Sequence, residues 1–189
     1  LDVLRKNTSK IIGSRSFSHN KEIVKTLGDI TVRECQKHKI ISVIKHIPGH
    51  GCATQDSHIF LPKVNLSEKN LNLIDFFPFK SNSAKLAMTA HILFSKIDNK
   101  NVSTFSKKII NQIIRKKIGF KGILISDDIS MKALKYSISN NTIKAFNAGC
   151  DLVLHCNGKL SEMNKVAKNS PKISKFIIKK TSQLLNKLS

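Results

Sequence analysis

The chain has 189 residues and a formal net charge of +21, with 33 Lys and Arg against 12 Asp and Glu. An apolar fraction of 40% suffices for a packed core and excludes a disordered chain, and no apolar run approaches the ~20 residues needed to cross a bilayer. The charge invites a nucleic-acid reading. Lysine, however, is spread through every segment without an arginine-rich cluster, and no Trp and a single Tyr leave few platforms for stacking bases. No specific nucleic-acid partner and no membrane association are expected. No charged-then-apolar leader opens the sequence, so a cytoplasmic protein is expected.

Residues 1–4, Leu-Asp-Val-Leu, read as the end of a strand. Residues 21–39 then carry apolar side chains at three- and four-residue spacing and predict a helix. Ile40, Ile41, Val43 and Ile44 begin a strand over 40–46, without the alternation of a half-exposed one, as in a parallel sheet buried on both faces. Directly after it comes Lys45-His46-Ile47-Pro48-Gly49-His50-Gly51, then Thr54-Gln55-Asp56-Ser57-His58. Packing does not explain such a mixture. Glycine and proline fix a backbone path from which the polar groups project, as in loops that carry function on a rigid scaffold.

Residues 85–94 predict the next strand, ending near His91, and Ile109, Ile110, Ile113 and Ile114 stripe a helix over 106–117, with Gly119 as its C-cap. Residues 122–126 predict a strand that ends in Asp127 and Asp128. Adjacent carboxylates on a strand point to opposite faces, so one caps the following turn while the other faces a pocket. A helix over 131–148 and a strand over 150–156 follow. The chain divides into a body, residues 1–160, and a lysine-rich tail, residues 161–189, of one or two surface helices. Cys35, Cys52, Cys150 and Cys156 form no CxxC pair, and no disulfide framework is implied.

Strands alternating with helices imply βαβ units. No glycine-rich phosphate loop follows a strand. Polar groups instead gather after successive strands: Lys45 and His46, then His91, then Asp127 and Asp128, then His155 and Asn157. In a (β/α)8 barrel that end holds the active site, and open doubly wound sheets remain the other architecture. Asp56 two residues before His58 suits a general acid/base oriented by a carboxylate. His46, His50, Cys52, Asp56 and His58 are also metal-ligand types, but their spacing matches no closed zinc pattern.

The segments KHIPGHG with TxDSH, AMTAHI, GFKGILISDDISM and AGCDLVLxCN stand in this order over residues 1–157 and resemble the bacterial family-3 β-N-acetylglucosaminidases of peptidoglycan recycling. The resemblance implies a TIM-type barrel and a retaining double displacement. Asp127 matches the nucleophile, His58 the acid/base and Asp56 its partner. Arg15, Lys45 and His46 match residues that hold the sugar, and His91 is expected to line the site. No metal or organic cofactor is expected, and the implied substrate is a saccharide containing N-acetylglucosamine. The family's barrel has eight strands, whereas about five are legible here, and the DQEGGR segment associated with the earlier ones does not occur. The expectation is a partial barrel without the first three βα units: a fragment, a subunit completed by an N-terminal piece or by self-association, or a non-catalytic remnant.

Overall fold

The computed structural model describes residues 1–55 and 60–186. The strands are β1 (Val43–Ile47), β2 (Lys63–Val64), β3 (Leu86–Thr89), β4 (Leu93–Phe94), β5 (Ile123–Asp128) and β6 (Leu152–Leu154), with helical segments before β1, β3, β5 and β6. The helices are α1 (Lys21–Lys37), α2 (Glu68–Leu73), α3 (Ile138–Ala148), α4 (Leu160–Asn169) and α5 (Lys175–Leu185), with a π-helical segment over Ile109–Lys117 between β4 and β5.

Four strands form a parallel sheet in the order β1-β3-β5-β6, and β2 pairs in parallel with β4 in a small second sheet. The main order follows the chain without reversal. A doubly wound sheet reverses at a switch point, so this progression is that of a barrel wall, and the α/β partial barrel expected from sequence is what forms. Four of the five expected strands are in the ladder. The fifth, residues 1–4, runs beside β1: the Leu1 amino group donates to the Lys45 carbonyl, and Leu4 N donates to Ser18 O instead of to a strand.

Register separates the sheet's two faces. Ile44, Ala87 and Leu124 are in register across β1, β3 and β5 and are all buried. They pack with Ile109, Ile110, Ile113 and Ile114 of the π-helical segment, each fully buried isoleucine stabilising by about 1.5–3 kcal/mol. The neighbouring row, Lys45, Met88, Ile125 and Leu152, points to the other face, where Lys45 and Leu152 are exposed and Met88 and Ile125 half-buried. This second face is the wall's interior surface, and nothing among the described residues covers it fully.

Local chemistry sets the element ends. The Asn20 side chain accepts from Glu22 N and Ile23 N to cap α1, and Ser137 and Ser174 cap α3 and α5 in the same way. Gly119, at φ +80°, follows the π-helical segment where the sequence placed its cap. Several expected elements come out shorter, two of them for a visible reason. The helix expected over 131–148 starts only at Ile138, because residues 131–137 are held in turns by Asp128 O and Met131 O. The strand expected over 85–94 breaks after Thr89 and resumes as β4 beside β2. Among the described residues α4 starts at Leu160 and α5 follows it in the basic tail, where Ile177 is buried.

Candidate active site

The functional end of a parallel sheet is the carboxyl end of its strands. There β1 runs into the loop His46–Gly51, β3 into His91, β5 into Asp127 and Asp128, and β6 into His155. A cavity of about 600 Å3 lies at the other end, lined by Lys85 and Gly122 just before β3 and β5, together with Lys180, Gln183 and Leu184 of α5. At that end Arg115 donates to Gly122 O (2.7 Å) and to the Asp151 carboxylate (2.6 Å), which also accepts from Leu124 N. That cluster knits β5 to β6 and is stabilising in character.

The loop after β1 is wedged between two buried carboxylates. Asp2, 6% exposed, accepts from His46 Nδ1 at 2.8 Å, from His50 N at 2.7 Å and from His46 N at 3.3 Å. Burial pushes the Asp2 carboxyl up, and the bond from His46 opposes it. Asp75, fully buried, is paired with Arg5 through both Nε and Nη2; burial pushes its carboxyl up, and Arg5 opposes this. The glycines follow from the fit. A Cβ on Gly49, at φ +139°, would lie 2.7 Å from Asp75 Cβ, and one on Gly51 would lie 1.8 Å from the Val3 carbonyl oxygen. The Lys45–His46 and Ile47–Pro48 peptide bonds are cis. The rings of His46 and His50 meet edge-on at 5.4 Å between centroids.

The two aspartates of β5 divide their roles as the strand alternation predicts. Asp128 accepts from Ser130 N (2.9 Å), Ser130 Oγ and Cys156 N (3.2 Å), and so caps the turn after the strand. Asp127 is half-buried; one of its oxygens accepts from Asp128 N at 2.8 Å, and its own amide lies 3.4 Å from Thr89 Oγ1. Its negative charge partly offsets the effect of burial on both His50 and His91, whose imidazoles burial pushes down toward the neutral form.

His91 is fully buried, and both its ring nitrogens are engaged. Nε2 lies 3.0 Å from the Asp128 carbonyl, which can only accept, so Nε2 carries the proton and Nδ1 is an acceptor. Thr104 Oγ1, 2.7 Å from Nδ1, is then its donor, and Thr89 Oγ1, 2.9 Å from Thr104 Oγ1, donates in turn. His91 thus braces the main chain beneath the aspartates. Lys45 is exposed on the open face of the sheet. Arg15 is exposed in a short 3-10 turn, with Nε donating to Ile11 O at 2.7 Å. Asp56 and His58 lie outside the described residues. Among the described residues no three His, Cys, Asp or Glu are grouped to hold a metal. The structure thus gathers His46, His50, His91 and Asp127 at one end of the sheet. Sequence reasoning missed Asp2, Thr89 and Thr104; a lone carboxylate within an otherwise apolar four-residue run was the available signal for Asp2.

The family model described as "Glycosyl hydrolase family 3 N terminal domain" matches residues 1–185. The chain belongs to glycosyl hydrolase family 3. Within the family it is 38% identical over 152 residues to a beta-hexosaminidase of Neisseria meningitidis serogroup C, over 78% of this chain and 42% of that protein. Its fold superposes on a family 3 beta-N-acetylglucosaminidase from Paenibacillus sp. with TM-score 0.85 at 27% identity, covering 98% of this chain and 38% of that one. NagZ from Neisseria gonorrhoeae in complex with N-trifluoroacetyl-D-glucosamine gives TM-score 0.84 at 30% identity, covering 96% and 54%. This family 3 chain therefore spans about half the length of its relatives or less.

Proposed function

We propose that this family 3 chain carries the catalytic end of a retaining β-N-acetylglucosaminidase that removes terminal β-linked N-acetylglucosamine from peptidoglycan-derived saccharides in the cytoplasm. Asp127 attacks the anomeric carbon, forming a C1–O bond as the glycosidic C1–O bond breaks, while His58 gives its proton to the departing oxygen. Water then attacks C1, His58 takes a proton from it, and Asp127 is released as carboxylate. Asp56 orients His58. Lys45, His46 and Arg15 hold the sugar hydroxyls, and His91 supports the site from beneath.

The observation that carries this reading is the division of labour on β5. Asp128 is consumed by the turn, whereas Asp127 is half-buried at the strand end, near enough for its charge to act on both His50 and His91. A carboxylate at that position, beside buried neutral imidazoles, suits a nucleophile that must stay ionised. The names of the relatives agree on β-linked N-acetylhexosamine. Among the described residues no helix is long and apolar enough to cross a membrane.

Completion of the site belongs to the same proposal. The open row Lys45, Met88, Ile125 and Leu152, and the coverage of only 42% of the Neisseria relative, argue that turnover needs further βα units, from an N-terminal segment, a second polypeptide or another copy. The test is hydrolysis of a nitrophenyl β-N-acetylglucosaminide by the purified chain, alone and with the N-terminal half of a relative, beside Asp127→Ala. Turnover that vanishes in the variant supports the reading. Turnover that Asp127→Ala retains removes Asp127 as nucleophile, and folded protein inert in both settings argues for a non-catalytic remnant.

A further inference from the structure

We propose that Asp2 is a positioning residue that sets the tautomer of His46, holding its proton on Nδ1 so that Nε2 presents a lone pair to a hydroxyl of the bound sugar. The first half stands on the structure's geometry; the second rests on the reading of His46 as a sugar ligand. A carboxylate can only accept hydrogen bonds, so the nitrogen 2.8 Å from Asp2 Oδ2 is Nδ1–H. A neutral imidazole carries one ring proton, which leaves Nε2 as an acceptor. Among the described residues the ring of His46 makes its hydrogen bond through Nδ1, to Asp2.

Asp2 does more than pair with one ring. Its other oxygen takes the His50 amide at 2.7 Å, and the His46 amide sits 3.3 Å from both oxygens. Ring tautomer and backbone path are therefore fixed by the same buried carboxylate, reached across 44 and 48 residues of sequence. An acceptor at Nε2 complements an exposed Lys45 ammonium, which can only donate. Together they give neighbouring positions of β1 opposite hydrogen-bonding sense, so that one sugar hydroxyl can accept from Lys45 while another donates to His46.

The experiment is long-range 1H–15N correlation of the histidine rings in the 15N-labelled chain at pH 8, for wild type and Asp2→Asn. Wild-type His46 is expected in the Nδ1–H form. In Asp2→Asn the amide oxygen stays on the His50 N–H and turns the NH2 toward Nδ1, so the ring is expected to invert to Nε2–H. A wild-type ring protonated on Nε2 overturns the proposal by itself, including where the variant fails to fold. An unchanged tautomer in a folded variant overturns it too. Titration of N-acetylglucosamine into the same samples tests the second half: the Kd should rise about tenfold in Asp2→Asn, equivalent to about 1.4 kcal/mol. A sugar that binds without moving the His46 signals overturns the reading of His46 as a sugar ligand, whatever its tautomer.

Discussion

Thr104 donates to His91 across 2.7 Å, joining a short turn after β4 to the base of the strand end that bears Asp127. Replacing Thr104 by Val keeps the shape but strands a buried ring nitrogen without a donor. A loss of about 1–3 kcal/mol is expected from that desolvated acceptor, with Thr104→Ser retaining most of the stability. Urea denaturation of the two variants checks this; equal stability in Val and Ser would show that the hydroxyl is not the donor.

Acid should weaken the fold through buried histidines. Burial lowers the pKa of His50 and His91 below the ordinary value of 6.5, so below that pH the unfolded chain binds protons that the folded chain refuses. Stability from these two groups is complete above pH 6.5 and declines as pH falls from there toward their folded values. Urea midpoints at pH 8, 7, 6 and 5 should be level for the first pair and then fall. The His91→Gln variant should show a shallower decline, and a midpoint flat down to pH 5 contradicts the neutral-ring assignment.

The loop glycines should rank by what surrounds them. Gly51→Ala drives a methyl group into the Val3 carbonyl and must push main chain apart, so a loss of about 3 kcal/mol is expected, at the upper end for overpacking. Gly119→Ala meets open space and bears only the strain of its positive φ, about 1 kcal/mol. Reversal of that order in thermal unfolding would mean that residues 1–4 do not pack against the loop.

If His58 supplies the proton, His58→Ala should cut hydrolysis of alkyl glycosides by 100-fold or more, in the range of general acid catalysis. Glycosides with activated aryl leaving groups should suffer far less, because their departing oxygen needs no proton. Comparing the two substrate classes in the assembled, active protein decides it: equal losses would assign His58 another role.

Much of the architecture was legible because strands buried under helices must be aliphatic on the covered face, as Ile44, Ala87 and Leu124 are. The split between Asp127 and Asp128 was legible too, since alternation alone sends neighbours to opposite sides. The brace under the site was not. His91 stands at a strand end, where a polar residue reads as lining a pocket; only Thr104, thirteen residues on, turns it inward. Asp2 was hidden for the same reason, its partners lying far away in sequence. The strand expected over 85–94 failed at Ala90 to Ile92, where aliphatic character persists: Ala90 N still donates to Ile47 O of β1, but Ile92 O accepts from Ser103 N of the turn after β4 and leaves the ladder.

The reach of Asp2 also bears on how the molecule comes together. The His50 amide, bonded to a side chain 48 residues earlier, can resist hydrogen exchange only while the first four residues are docked. The shape of the loop is thus a property of long-range assembly, acquired late, since distant contacts bear the larger loop-closure entropy. Local opening of the amino-terminal segment would release the strand-end loop and leave the sheet beneath it intact.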